Sequence, residues 1–277
     1  MDTQNWRSEH DSMGELKVPA EALWGAQTQR AVLNFPVSGR PMPARFIAAL
    51  GLVKAAAARV NGQLGVLDAD RAVAIEAAAM EVAANRHDAQ FPVDVYQTGS
   101  GTSSNMNANE VIASLAGRQL AGGAFVHPND HVNLGQSSND VIPTTLRVAA
   151  VGAVAGQLLP ALDHLHTVIG TRAQELAQVV KTGRTHLMDA MPLTFGQELG
   201  CWQAQLASAR WRLQDTLVRL RRLPLGGTAV GTGVNADPRF APAAVAELAE
   251  ITGQPFVVAP NLFEGLACQD DAVELSG

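Results

Sequence analysis

Cysteines, charged residues and long apolar runs are all scarce in this chain of 277 residues. The two cysteines, Cys201 and Cys268, have no Cys-x-x-Cys spacing, which argues against a disulfide or zinc framework and is typical of a reducing compartment. Met1 to Glu15 has no signal-peptide core, and no apolar run reaches the roughly 18 residues that a membrane span needs. These absences predict a cytoplasmic protein that does not associate with a membrane.

Charged residues make up 17% of the chain, below the roughly 25% of typical globular proteins. Hydrophobic residues reach 47%, so much of the surface needs covering, which favours an oligomer. The net charge is −6 and clustered basic residues are missing, which argues against nucleic-acid binding. The one basic run, residues 219–222, falls at a predicted helix end, where cations offset the helix dipole.

Apolar periodicity predicts an all-α fold, with an N-terminal helical domain over residues 1–136 and an incomplete long-helix bundle over 137–277. We expect irregular structure over residues 1–42 and almost no strand. The expected helices cover residues 44–61, 68–85, 105–120, 140–180, 193–223 and 241–251. Leu199, Leu206, Leu213 and Leu220 recur every seven residues, which predicts a packed seam in a long antiparallel hairpin. Pro160 is expected to kink the preceding long helix.

Four polar, glycine-containing stretches interrupt the helices, at residues 97–109, 127–140, 181–197 and 225–235. The second ends with Ser137, Ser138 and Asn139 at a predicted helix start, where they can cap the helix or bind an anion. No Lys or Arg lies between Arg86 and Arg118, or between Arg118 and Arg147. An anion held by the first two stretches would therefore meet mainly neutral donors, and a dicarboxylate would need a cation from elsewhere.

Two of these stretches contain histidines in polar surroundings. His127 to His131 contains His, Asn and Asp, but no helical spacing orients them as metal ligands, which favours a hydrogen-bonded loop. The stretch 181–197 holds Arg184, Thr185, His186 and Asp189 between two predicted helices. Such a dense polar connection is either a catalytic loop or a plain surface turn, and the stretch alone does not decide between them.

Taken together, these stretches resemble the class II fumarases of the fumarase/aspartase superfamily. The resemblance lies in Val18–Arg30, Gly99–Thr102 with Ser104–Asn107, Gln136–Asp140 and Gly183–Leu187. It implies a helical bundle assembled as a homotetramer whose active sites draw on three chains. It also implies reversible hydration of fumarate to (S)-malate, a reaction of the tricarboxylic acid cycle, with a small dicarboxylate substrate, no metal and no organic cofactor.

The resemblance assigns roles to particular residues. Ser100, Gly101 and Thr102, together with Ser137, Ser138 and Asn139, would bind a substrate carboxylate. Thr185 would bind substrate, and His186 would transfer a proton to or from the water or hydroxyl. A secondary carboxylate site would comprise His127, Pro128, Asn129 and Asp130.

The sequence also departs from the family pattern. Family members continue beyond the position of Gly277 with a mobile loop that carries a catalytic serine, a following lysine and the acidic partner of the histidine. Ala124 stands where the secondary site would have an arginine. His186 and Ser100 favour a fumarase over an aspartate ammonia-lyase, which usually has Gln at position 186. The alternatives are such an ammonia-lyase relative, or a catalytically inactive truncated or structural subunit.

Overall fold

The computed structural model describes residues 5–11, 13–120, 122 and 124–277, and helices form most of it. The α-helices are α1 Ala26–Asn34, α2 Ala44–Gln63, α3 Ala69–Ala83, α4 Thr102–Gln119, α5 Ser138–Ala153, α6 Leu159–Glu175, α7 Phe195–Leu220, α8 Phe240–Thr252, α9 Leu262–Ala267 and α10 Asp270–Ser276. The strands are β1 Trp6–Asp11, β2 Gly14–Pro19, β3 Val180–Thr185, β4 Met188–Thr194, β5 Arg222–Leu223 and β6 Val257–Val258. The all-α expectation is confirmed.

The N-terminal arm contains a β-hairpin and a short helix, so the expectation of irregular structure over residues 1–42 is wrong. β1 and β2 pair in antiparallel register, and exposure alternates along both strands. The strands are short and polar, so they carry little of the apolar signal from which strands are predicted. Arg30 of α1 anchors the hairpin with hydrogen bonds of 2.8 and 2.9 Å to the Asp11 carboxylate. Residues 1–4 and 12 lie outside the described part of the chain.

The core forms where α2 packs against α3, α5 and α8. Small residues let α2 and α3 approach closely: a Cβ added to Gly51 would lie 2.6 Å from the backbone nitrogen of Ala83. Asp68 caps α3 by accepting a hydrogen bond from the Arg71 N–H, as predicted. Because α2 and α5 lie on opposite sides of the predicted boundary at residues 136/137, helix packing crosses that boundary. The division into two domains stays a prediction.

The second half of the chain is dominated by a long helical hairpin. One continuous helix runs from Ser138 to Glu175, and α7 packs against its α6 part. A π-helical turn at Val154–Leu158 interrupts the regular hydrogen bonding just before Pro160, near the predicted kink. By length and composition alone this helix could cross a membrane, which is weak evidence because core helices pass the same test. The predicted long hairpin is present.

The hairpin leaves large apolar side chains on its surface. Trp202 and Trp211 of α7 are 49% and 68% exposed, and Leu165 of α6 is 46% exposed. Of the seven-residue series, Leu220 is fully buried, whereas Leu206 is only partly buried. A surface of this kind is typical of a helix pair that packs against further protein.

The expectation of almost no strand is wrong in detail. The described residues form three two-stranded sheets, β1–β2, β3–β4 and β5–β6. The first two are antiparallel, and the third is a parallel pair of two residues each. All three are small additions to the helical core, so the fold class is unchanged.

Candidate active site

The first polar stretch meets the start of α5 through Gly101. This residue precedes α4 with a φ of +68°, a backbone conformation that favours glycine. A Cβ at this position would also lie 2.9 Å from Cγ2 of Ile142 in α5. Beside Gly101, the hydroxyls of Ser100 and Thr102 are 2.7 Å apart, and Ser100 is exposed. The close approach therefore places two hydroxyls next to the first turns of α5.

The start of α5 presents polar groups to solvent. Ser137 is the cap residue: its Oγ accepts from the Asn139 N–H at 3.2 Å, and its own N–H donates to the Asp140 carboxylate at 2.9 Å. Ser137 and Ser138 are partly exposed, and Asn139 is exposed. The first N–H groups of a helix and the positive end of its dipole favour an anion. This helix start can therefore bind a carboxylate.

Asp140 attaches the fourth polar stretch to this helix start. Its side chain is fully buried, and its second carboxylate oxygen accepts from the N–H groups of Gly226 and Thr228, both at 2.9 Å. Burial raises the pKa of Asp140, and the three backbone N–H donors oppose that shift. The Asn139 side chain adds a 2.7 Å hydrogen bond to the carbonyl of Ala229.

A buried polar network lies beneath the same helix start. Asn105 of α4 donates through Nδ2 to Oγ of Ser138 at 3.0 Å and to Oδ1 of Asn133 at 3.1 Å. Lys54 of α2, which is fully buried, donates through Nζ to Oδ1 of Asn133 at 2.9 Å and to Oε1 of Gln136 at 3.0 Å. The hydroxyl oxygen of Ser138 accepts the Asn105 N–H. The hydroxyl proton of Ser138 can therefore be donated to a bound acceptor.

The third polar stretch forms a β-hairpin, so the expectation of a loop between two helices is wrong here. β3 and β4 pair with Thr185 opposite Met188, and the two residues between them are His186 and Leu187. Both have positive φ, of 50° and 63°, as in tight hairpin turns. Thr185 and His186 are exposed at the tip of this hairpin.

The predicted secondary site forms a compact turn beside a cleft. Pro128 begins a single π-helical turn, and Nδ1 of His127 accepts from the Asp130 N–H at 3.0 Å. His127 also lies 3.2 Å from the Asp130 carboxylate, and Asn129 is exposed. The cleft has a volume of about 640 Å³, and its lining includes Ala124, His127, Pro128, Asn129, Arg7 and Arg118. Arginine therefore lines this cleft, although residue 124 is an alanine.

A family model described as lyase matches residues 14–277. The chain belongs to this lyase family. It is 66% identical over 275 residues to the class II fumarate hydratase of Xylella fastidiosa, covering 99% of this chain and 58% of that protein. It is 55% identical over 278 residues to the class II fumarate hydratase of Corynebacterium glutamicum, covering 100% of this chain and 58% of that protein.

The fold of this chain is similar to that of a solved class II fumarase structure. The class II fumarase from Schistosoma mansoni superposes with a TM-score of 0.94 at 38% identity, over 99% of this chain and 61% of that one. The resemblance to class II fumarases is thereby confirmed for the fold and the family. The chain spans about 58% of the length of the curated relatives it matches.

The fold brings some predicted site residues together and keeps others apart. Hydrogen bonds and close packing join the stretch at Ser100 to the start of α5 at Ser138. From Ser138 to Glu175 the continuous helix spans about 55 Å, at about 1.5 Å per residue. The ten residues from Glu175 to Thr185 can cover at most about 36 Å. The Cα atoms of Thr185 and His186 are therefore at least about 20 Å and about 15 Å, respectively, from that of Ser138 in the same chain.

The roles of two buried charged residues, Lys54 and Asp140, were not predicted from the sequence. The cation that a dicarboxylate needs was expected from the lysine that family members carry beyond Gly277, and Lys54, in the alanine-rich part of α2, was not considered. A single lysine inside an apolar helical run was the available signal. Asp140 was treated as part of a motif, although its carboxylate joins the second and fourth stretches. Among the described residues, no three His, Cys, Asp or Glu side chains group as a metal site.

Proposed function

We propose that the full-length protein containing this chain is a fumarate hydratase, which reversibly hydrates fumarate to (S)-malate in the cytoplasm. The observation that carries the proposal is the identity of 66% and 55%, along 99% and 100% of the chain, to proteins named class II fumarate hydratase. The substrate would be a small dicarboxylate, and the reaction would use no metal or organic cofactor. His127, Pro128, Asn129 and Asp130 would form a secondary carboxylate site.

The proposal assigns the substrate carboxylate to the start of α5 and the neighbouring hydroxyls. Ser137, Ser138 and Asn139 would donate from the helix start, while Ser100 and Thr102 would donate from the loop that Gly101 holds against Ile142. Removal of a proton beside a carboxylate develops an aci-carboxylate dianion. Fixed donors and a helix dipole stabilise such charge in the transition state. The exposed Ser100 and the partly exposed Ser138, whose hydroxyl oxygen accepts from Asn105, support this assignment.

The proposal assigns proton transfer at the water or hydroxyl to His186, with Thr185 binding substrate beside it. A ring nitrogen of an imidazole can both accept and return this proton. Because His186 and Ser138 of one chain are at least about 15 Å apart, His186 would serve a Ser138 of another subunit. A homotetramer with composite sites would meet this requirement, and the exposed Trp202 and Trp211 support association.

The test uses the purified full-length protein with fumarate, malate and aspartate as separate substrates. Loss of the ultraviolet absorbance of fumarate, with formation of malate, is the expected result. Turnover of aspartate but not of malate would favour an ammonia-lyase relative instead. Turnover of none of the three by a correctly assembled protein would favour an inactive or structural subunit.

A further inference from the structure

Lys54 is an unusual residue for the interior of α2. Its side chain is fully buried, next to Val53 and a run of alanines from Ala55 to Ala58. Burying an ammonium group is unfavourable, and a hydrophobic side chain of similar volume often gives a protein that is at least as stable. Among the ion pairs of the described residues, none within 4.0 Å involves Lys54. Its place in the core therefore calls for a reason other than packing.

The hydrogen bonds of Lys54 lead to the candidate anion site in two steps. Nζ donates to Oδ1 of Asn133 at 2.9 Å, and the same oxygen accepts from Nδ2 of Asn105 at 3.1 Å. Nδ2 of Asn105 also donates to the hydroxyl oxygen of Ser138 at 3.0 Å. Asn105 can donate in this way only while its carboxamide is held in this orientation, and Asn133 and Lys54 hold it there.

A second set of bonds fixes the loop that leads into α5. Nζ of Lys54 also donates to Oε1 of Gln136 at 3.0 Å. Nε2 of Gln136 in turn donates to the carbonyl of Val132 at 3.0 Å. Lys54 therefore holds Gln136, the residue immediately before the cap Ser137, as well as Asn133, the partner of Asn105.

The charge of Lys54 has the sign that the site requires. Burial lowers the pKa of Lys54 to about 7, and the nearby Asp140 carboxylate opposes this shift. Like Asp140, an anion bound at the start of α5 would favour the charged form of Lys54. The positive charge would add to the helix dipole in a region of low dielectric constant, where charges are weakly screened.

We propose that Lys54 is a positioning residue for the carboxylate site. It orients Ser138 through Asn133 and Asn105, fixes the approach to α5 through Gln136, and supplies from behind the positive charge that the polar stretches lack. This inference rests on the proposed function, because it takes the ligand to be a substrate carboxylate.

The test replaces Lys54 by methionine in the full-length protein, which keeps the length of the side chain and removes its charge and donors. We expect kcat/KM for fumarate to fall roughly tenfold or more while the melting temperature is maintained. Arg59→Met is the matched control, because Arg59 is a cation of the same helix whose partners are Glu76 and Glu247. Its kcat/KM should stay within about twofold of wild type.

A double-mutant cycle separates positioning from a purely structural role. If Lys54 acts through Ser138, the effect of Lys54→Met should shrink to less than about threefold in a Ser138→Ala background. Equal effects in both backgrounds would contradict positioning through Ser138, and an unchanged kcat/KM would contradict the whole proposal. If Lys54→Met fails to fold, Asn105→Ala removes the hydrogen bonds that connect Asn133 to Ser138. Its effect on kcat/KM should likewise be smaller in the Ser138→Ala background than in wild type.

A crystal structure of the Lys54→Met protein gives a result that does not depend on activity. We expect the Asn133 carboxamide to turn and the bond from Asn105 to Ser138 to lengthen or break. If these side chains stay in place, Lys54 does not position them. If wild type fails to hydrate fumarate, the proposed function is wrong, and the structural comparison still decides whether Lys54 orients Ser138.

Discussion

Gly101 approaches Ile142 so closely that a Cβ on residue 101 would lie 2.9 Å from Cγ2 of Ile142. Gly101 also has a φ of +68°. Gly101→Ala should therefore destabilise the protein by about 1–3 kcal/mol. It should also raise KM for fumarate, because the hydroxyls of Ser100 and Thr102 move with this turn. Denaturant unfolding and steady-state kinetics measure the two effects.

Gly99→Ala is the matched control in the same loop. A Cβ on Gly99 would meet nothing within 4 Å, and its φ lies outside the left-handed region. Its unfolding free energy should stay within about 0.5 kcal/mol of wild type. Equal losses from the two substitutions would show that the contact with Ile142 is unimportant.

Asp140→Asn should destabilise the fold by about 2–4 kcal/mol. The two carboxylate oxygens accept three backbone N–H groups, from Ser137, Gly226 and Thr228. An asparagine would turn its own NH2 group toward at least one of these donors. Urea unfolding measures the loss, and Asp189→Asn serves as the control because its side chain is 77% exposed. A loss no larger than that of the control would contradict the role given to Asp140.

Acid should weaken the attachment of the N-terminal β-hairpin to α1 by protonating the Asp11 carboxylate, which accepts from Arg30. Hydrogen bonds from Arg30 hold the pKa of Asp11 at about 2, below its usual 3.8. For a carboxyl with a depressed pKa, the stabilisation is present above about pH 4 and disappears as the pH falls toward 2. Asp11→Asn should therefore lower hydrogen-exchange protection of β1 and β2 near neutral pH. The difference from wild type should shrink between about pH 4 and 2, and a constant difference would refute this linkage.

Most of the longer helices could be predicted from the sequence, because their apolar residues recur over many turns and capping residues mark their starts. Asp68 marked the start of α3, and the run through Leu199 and Leu220 marked α7. The hairpin at Thr185 was missed because its strands are short and its side chains mostly exposed, so no apolar face reports the pairing. Lys54 was missed because sequence periodicity does not show which polar groups a buried side chain meets.

The candidate site was predictable only in pieces. The motifs identified the residues near Ser100, Ser138 and His186. The helix that begins at Ser138 is long enough to separate His186 from Ser100 and Ser138 of the same chain. This separation is seen only in the three-dimensional fold. The role of Asp140 in attaching the stretch at Gly226 also depends on a contact between residues far apart in the sequence. The roles assigned to the individual site residues remain predictions.

His186→Asn should lower kcat by roughly 10²–10⁴-fold in the full-length protein, since it removes the proposed proton-transfer group. Asparagine tolerates the positive φ of 50° at this position, so the hairpin turn should be retained. An unchanged melting temperature would show that the fold is intact. Unchanged kcat would rule out the proposed role of His186.

We infer that each active site takes Ser138 and His186 from different chains. Full-length Ser138→Ala and His186→Asn proteins should each retain only a small, measurable fraction of the wild-type kcat/KM. After the two are unfolded and refolded together, about a quarter of the sites in a randomly mixed symmetric oligomer should hold both native residues. We therefore predict that kcat/KM of the mixture recovers to about a quarter of the wild-type value. If mass spectrometry detects hybrid oligomers but the mixture is no more active than its two components, Ser138 and His186 of one site do not come from different chains.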